Sequence, residues 1–301
     1  MEIKTYYKDV AKHSFLFLVV FGLFMTGCNN NVNRKSADHS VYINKVFSNF
    51  EYRGNWDSDT VLICSQGGPV FYLEPEQFPH KPLLNAPLEE LKNSLVVYVH
   101  QYQTKYRHLF VTRDISFEEA KKFDKKTIDM LAKTIDFFHN KGKKVYLVGS
   151  SFGAFVVQDY LAKYGSDKLT GTIIAVGRLA MQEAFWKGFS KGDELFFKNG
   201  TQIVHDSSKE ENSSDPYSYK NSLKLAGALG SKNYIKLLRN VDLHNTMYIY
   251  GENDSYVGRL TQKEVKFLKS KGVHVAKSKG GHQKAVNQFM WQALLRIIKN
   301  E

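Results

Sequence analysis

The chain has 301 residues and a formal net charge of +12 at pH 7. Hydrophobic residues make up 43% of it and only 6 residues are proline, which excludes a disordered chain or a collagen-like fibre. We predict one large globular domain or a domain with an insertion. The excess of Lys and Arg suits an anionic partner such as a membrane surface, or alternatively a solvated surface without a partner, and no nucleic-acid-binding motif accompanies it.

The first 27 residues have the pattern of a secretion signal. Three lysines precede an apolar run at 15–25, whose eleven residues are too few to span a bilayer, which needs about 20. The run ends in Met25-Thr26-Gly27-Cys28, which resembles the lipobox of bacterial lipoproteins, where the cysteine is lipidated and becomes the new N-terminus. The alternative is a buried or membrane-spanning helix with an incidental cysteine.

The lipobox resemblance implies a processed, membrane-anchored protein. It implies a signal peptide at 1–27, a lipid on Cys28 and a place in the bacterial cell envelope, in the outer membrane if the cell is Gram-negative. Residues 28–40 are polar and are predicted to be a tether. Cys64 is then the only other cysteine, so no intramolecular disulfide is possible, and we expect it to act as a small buried hydrophobic residue.

From residue 41 to 301, short apolar runs alternate with amphipathic segments. The predicted strands are 61–64, 94–99, 145–148, 172–176, 247–250 and 273–275. The predicted helices are 117–140, 154–164, about 261–270 and about 285–299. Strands that are apolar throughout and separated by helices indicate a mostly parallel sheet with helices on both faces. We therefore predict an α/β fold with a doubly wound sheet.

The alternation stops between about residues 178 and 245. This segment combines aromatic residues, such as Phe185 and Trp186, with a polar stretch at 209–215. We predict a largely helical insertion that covers the C-terminal edge of the sheet as a cap.

The third predicted strand runs into Gly149-Ser150-Ser151-Phe152-Gly153, and a helix follows. This is a G-x-S-x-G motif in a strand-turn-helix setting, where a tight turn exposes the serine at the start of the helix. The motif in this setting resembles the nucleophile elbow of the α/β-hydrolase family. The resemblance implies the α/β-hydrolase fold over about 61–298, a nucleophilic Ser151, and an acid and a base that follow it in that order.

Asp254 and His282 fit the family order. Asp254 lies in a G-x-x-D loop directly after the strand at 247–250, and His282 follows Gly280 and Gly281 after the last strand. His282 is therefore assigned as the base and Asp254 as the acid that orients it. The alternatives are His100 for the base, and Glu252, Asp206 and Asp215 for the acid.

Two backbone N–H groups are needed to stabilise the oxyanion of a tetrahedral intermediate. One is assigned to Phe152, the residue after the nucleophile. The other is assigned to Gly68 in the Q-G-G-P loop at 66–69, which resembles the H-G-G-P loop of esterases and prolyl aminopeptidases. Two features differ from the peptidases: Gln66 replaces the histidine, and residues 100–104 read HQYQT where those enzymes have Asp-Gln-Arg-Gly.

The predicted function is hydrolysis of an ester, or alternatively an amide, in a small-molecule or short-peptide substrate. The family resemblance implies that Ser151 attacks, His282 moves the proton and an acyl-enzyme forms. No metal or cofactor is predicted, because the His and Cys residues lack ligand spacing. Two alternatives stay open: an aminopeptidase-like enzyme of the same fold, and a catalytically silent lipoprotein that binds a partner through the cap.

Overall fold

The computed structural model describes residues 47–78, 86–205 and 216–299. The predicted signal peptide, the tether, Cys28, Asp206 and Asp215 lie outside the described residues. Within the described ranges, no helix combines the length and the apolarity that crossing a bilayer requires.

A seven-stranded sheet forms the centre of the fold. Its strands are β1 Phe50–Gly54, β2 Thr60–Ser65, β3 Leu95–Val99, β4 Lys144–Ser150, β5 Gly171–Ala175, β8 Thr246–Gly251 and β9 His274–Ser278. Their order across the sheet is β1-β3-β2-β4-β5-β8-β9. All neighbouring strands are parallel except the edge strand β1, which pairs antiparallel with β3. This confirms the predicted doubly wound, mostly parallel sheet, and all six predicted strands are present.

Helices connect the parallel strands. They are α1 Glu89–Lys92, α2 Tyr102–Lys105, α3 His108–Val111, α4 Phe117–His139, α5 Phe152–Tyr164, α6 Glu183–Lys191, α7 Pro216–Gly230, α8 Tyr234–Leu237, α9 Gln262–Ser270 and α10 His282–Lys299. The four helices predicted from periodicity correspond to α4, α5, α9 and α10. A 3-10 helix, Pro75–Gln77, follows the loop after β2.

Two hydrophobic cores lie on opposite faces of the sheet. Val61 and Ile63 of β2 belong to one core, together with α4 and α5. Leu62 and Cys64 of the same strand belong to the other core, together with α1 and α10. Because neighbouring residues of a strand point to opposite faces, a strand covered on both sides must be apolar at every position.

The segment between β5 and β8 contains α6, α7 and α8 and also a two-stranded hairpin, β6 Leu195–Lys198 and β7 Gln202–His205. The hairpin differs from the largely helical insertion that was predicted. Its turn contains Asn199 and Gly200, both with positive φ, and this Asn-Gly pair is a strong signal for a type I′ hairpin turn.

Candidate active site

Ser151 lies in a strained turn between β4 and α5. Its backbone has φ 56° and ψ −119°, a region that non-glycine residues rarely adopt and that costs about 1–3 kcal/mol. A Cβ on Gly149 would collide with the carbonyl of Gly153, and a Cβ on Gly153 would collide with the carbonyl of Ser65. The two glycines of the motif are therefore required by close backbone approaches, which bring the start of α5 against the end of β2.

Phe152 and Gly68 lie beside Ser151 in the wall of one cavity. Phe152 is the first residue of α5, where backbone N–H groups have no acceptor inside the helix. Gly68 has φ +129°, which favours glycine, and a Cβ there would collide with the backbone nitrogen of Val70. The structure therefore places both residues predicted as oxyanion donors beside Ser151.

Glutamine side chains hold the Q-G-G-P loop. Gln66 Nε2 donates to the carbonyl of Tyr72 at 2.9 Å, and its Oε1 accepts from the N–H of Glu74 at 2.7 Å. Gln101 Nε2 donates to the Gln66 carbonyl at 2.8 Å. Gln66 therefore connects the loop to the segment that follows it.

The side chain of Gln77 also holds the Q-G-G-P loop. The N–H of Gly67 donates to Gln77 Oε1 at 2.7 Å, and Gln77 Nε2 donates to the carboxylate of Glu74. Sequence reasoning missed Gln77, because it lies in a short 3-10 helix without periodicity and contacts the loop only after the chain turns back.

His282 and Asp254 are brought together. Asp254 Oδ2 lies 2.7 Å from His282 Nδ1, while Asp254 Oδ1 accepts the N–H groups of Tyr256 at 2.9 Å and Val257 at 3.1 Å. Asp254 is only 1% exposed. The Tyr256 ring, also missed from the sequence, packs edge-on against the imidazole with ring centroids 5.1 Å apart. The imidazole is therefore held at Nδ1 and on one side, and its Nε2 has no hydrogen-bond partner among the described residues.

The alternative residues have other partners. Glu252 Oε1 accepts from Lys277 Nζ at 2.8 Å, and this hydrogen bond lowers the pKa of the Glu252 carboxyl. His100 Nδ1 lies 2.9 Å from Thr104 Oγ1, and burial lowers the pKa of the imidazole. His282 lines a cavity together with Ser151, whereas His100 does not.

Two cavities meet at Ser151. The first, here called the cap cavity, has a volume of about 260 Å³ and lies under aromatic residues of α6, including Phe185, Trp186 and Phe189. The second, here called the histidine cavity, has a volume of about 530 Å³ and includes His282 in its wall. A bound molecule can thus extend from the serine in two directions.

Over the part of the chain that the structure describes, no three His, Cys, Asp or Glu side chains are grouped as ligands for a metal ion.

Comparison with known proteins shows similarity in structure only. No protein-family model matches the chain, and no curated protein matches it. Three similar solved structures are an α/β-hydrolase enzyme from a Medee basin deep-sea metagenome library, a bromoperoxidase from Bacillus anthracis and an esterase from Exiguobacterium antarcticum.

The three alignments are extensive although the sequences have diverged. Identities are 13%, 18% and 14%, and TM-scores are 0.54, 0.53 and 0.52, in the same order. Each alignment covers 83% of this chain and 93–94% of the other. Likeness at this identity concerns the fold. Together with the parallel sheet and the turn at Ser151, it shows that the chain has the α/β-hydrolase fold.

Proposed function

We propose that the protein is a serine hydrolase that cleaves an ester, or alternatively an amide, through an acyl-enzyme. The observation that carries this proposal is the strained backbone of Ser151 at the junction of two cavities, one of which is lined by His282. The contact between Asp254 and His282 supports it, because a base must be held in one orientation to act.

In the proposed reaction, Ser151 Oγ attacks the substrate carbonyl carbon and its proton moves to His282 Nε2. The N–H groups of Phe152 and Gly68 stabilise the resulting oxyanion. The intermediate then collapses to the acyl-enzyme, and His282 gives its proton to the departing oxygen or nitrogen. A water molecule, deprotonated by His282, attacks the acyl-enzyme, and the acid is released as Ser151 regains its proton.

A fluorophosphonate probe tests the nucleophile. We expect covalent labelling of the wild type and of Ser150→Ala, a matched control one residue away, and no labelling of Ser151→Ala. Ser151→Ala and His282→Ala should each lower ester turnover by about four to six orders of magnitude, and the double variant should be scarcely worse, because the residues act as a unit. Labelling that survives in Ser151→Ala would remove Ser151 from this role. A wild type that is neither labelled nor active on acyl esters or aminoacyl amides would favour the silent binding protein.

We also propose that a lipid on Cys28 anchors the protein to a membrane of the bacterial envelope, after removal of residues 1–27. The support is the short apolar run followed by Met25-Thr26-Gly27-Cys28. Labelled palmitate should be incorporated by the wild type and by Cys64→Ala, and not by Cys28→Ala, which should also leave the membrane fraction. Absence of label in wild-type protein made in a bacterial host would contradict the anchor.

A further inference from the structure

The position of His282 relative to the two cavities indicates which cavity binds the alcohol part of an ester and which binds the acyl part. The base must return its proton to the leaving oxygen, so the alcohol has to depart next to His282 Nε2. Ser151 and Gly68 line both cavities, whereas among the described residues Phe152 lines only the cap cavity and His282 only the histidine cavity. If the protein is the serine hydrolase proposed above, on which this inference rests, the alcohol lies in the histidine cavity and the acyl group in the cap cavity.

Most side chains that line the cap cavity are apolar, and one carboxylate, that of Glu194, also belongs to its wall. The cavity therefore suits an apolar acyl chain. Phe155 of α5 and Phe185, Trp186 and Phe189 of α6 contribute aromatic surface to it, and α7 closes another side with Ala226. Burial of one CH₂ group stabilises a complex by a factor of about four, so successive carbons of an acyl chain should each increase specificity until the cavity is full.

The histidine cavity has a more polar wall, although apolar side chains such as Phe78 and Met290 also line it. The carboxylates of Glu74 and Glu76 and the amides of Gln77, Gln283 and Asn287 lie along its wall. Among the described residues that line it there is no Lys or Arg. Glu76 is paired at 3.1 Å with Arg53, which is not part of this wall, and Glu74 accepts from Gln77. Amides and carboxylates can bind hydroxyl groups, whereas carboxylates repel an anion, an effect that Arg53 reduces at Glu76.

We infer that the substrate is an ester of an apolar acyl chain with a hydroxylated alcohol that carries no negative charge. The apolar half lies under the cap, the hydroxylated half lies against Glu74, Glu76 and the amides, and the scissile bond lies at Ser151 between them. A phosphorylated or carboxylated alcohol is disfavoured by the charge of the wall.

Three matched esters test the inference on the full-length protein. They are acetylglycerol, hexanoylglycerol and hexanoylglycerol phosphate. We expect kcat/KM of hexanoylglycerol to exceed that of each of the other two by about tenfold or more. Hydrolysis of all three at similar kcat/KM would overturn the substrate class and leave the hydrolase standing. If no ester is hydrolysed and the fluorophosphonate probe does not label Ser151, both proposals fail.

Variants in each cavity show which half of the substrate it binds. Ala226→Leu fills part of the cap cavity and should lower the hexanoyl-to-acetyl ratio about tenfold, while Ala226→Ser, of similar size, should change that ratio much less. Glu76→Lys should lower the preference for hexanoylglycerol over its phosphate about tenfold, and Glu76→Gln should lower it by less. If Ala226→Leu alters the alcohol preference and Glu76→Lys alters the acyl preference, the assignment is reversed and the inference is overturned.

Discussion

Asp254 is the most enclosed member of the proposed triad. One carboxylate oxygen accepts two backbone N–H groups of its own loop, which turns the other oxygen to the imidazole of His282. Glu252 lies two residues earlier and is held at the surface by Lys277. The same short loop thus contains one carboxylate directed inward and one directed outward.

Substitution of the two carboxylates should separate their roles. Asp254→Asn keeps the shape of the side chain but favours the wrong imidazole tautomer, so we expect kcat to fall by up to about 10⁴. Glu252→Gln removes only an exposed ion pair and should change kcat by less than about threefold. Steady-state kinetics of both variants on one ester measures the difference. A severe effect of Glu252→Gln beside a mild effect of Asp254→Asn would reverse the assignment.

Chain order and strand ends predicted the site residues, and the structure places Asp254 against His282 and His282 in a cavity wall with Ser151. Strand order alone does not separate Asp254 from Glu252, because both lie on one loop after the same strand, and the choice of Asp254 rested on the resemblance to a G-x-x-D loop. The partner that draws Glu252 away is Lys277 of β9, which becomes a neighbour only when β9 pairs with β8. Gln77 was missed for a similar reason, since its contact with Gly67 is made across an irregular segment.

At the scale of elements, the loop after β2 depends on side chains for its shape. The backbone hydrogen bonds of the sheet end with β2. In the loop that follows, the side chain of Gln66 makes two hydrogen bonds, to Tyr72 and Glu74. Gly68, the second oxyanion donor in the proposed reaction, lies in this loop.

We expect Gln66→Leu to lower kcat by about 10- to 100-fold with a smaller change in KM, since a displaced oxyanion donor weakens binding of the transition state more than of the substrate. Gln262→Leu, an exposed change at the start of α9, is the matched control. Kinetics together with urea denaturation measures both effects. An unchanged kcat in a folded Gln66→Leu protein would show that the loop holds its shape without these contacts.

Strand β1 and the hairpin of β6 and β7 were missed by the sequence analysis for different reasons. Strand β1 has one buried residue, Phe50, followed by four exposed ones, so an edge strand of this kind carries little apolar signal. The hairpin of β6 and β7 carried the Asn199-Gly200 signal, but the surrounding aromatic residues were taken for helix. Turn residues would have been the better guide there.

At the scale of the whole molecule, a buried carboxylate between α4 and the neighbouring helices affects stability. Asp124 is 1% exposed, and neither of its oxygens has a hydrogen-bond partner among the described residues. Burial raises the pKa of this carboxyl well above its usual range, the positive charge of Lys232 lowers it, and the negative charge of Asp159 raises it. The folded state therefore favours the protonated form.

The sign of the pH dependence follows from this shift. An unfolded chain releases the Asp124 proton near pH 4, while the folded chain keeps it, so this group lowers the free energy of unfolding as pH rises above about 4. Asp124→Asn has no proton to lose. We expect its urea midpoint to exceed that of the wild type at pH 7 and to approach it at pH 4, with the exposed Asp57→Asn as control. Equal midpoints of variant and wild type at pH 7 would contradict this.

The doubly wound sheet was predictable because strands buried on both faces are apolar at every position. The order of the strands was not, since it depends on pairings such as β2 with β4 and β5 with β8, which join distant parts of the chain. Local patterns identify such strands, and only the folded molecule identifies their neighbours.

Cys64 offers a chemical reporter of unfolding. It lies at the end of β2, and burial raises the pKa of its thiol, so little thiolate is present at neutral pH in the folded protein. Unfolding returns the thiol pKa toward about 8.5, and a thiolate-directed reagent should then react far faster. If Cys28 is lipidated as proposed, Cys64 is the one free thiol of the mature chain. The fraction of modified Cys64 would then measure the fraction of unfolded protein while the protein is bound to lipid vesicles. Light scattering by the vesicles obscures optical measurements of unfolding there.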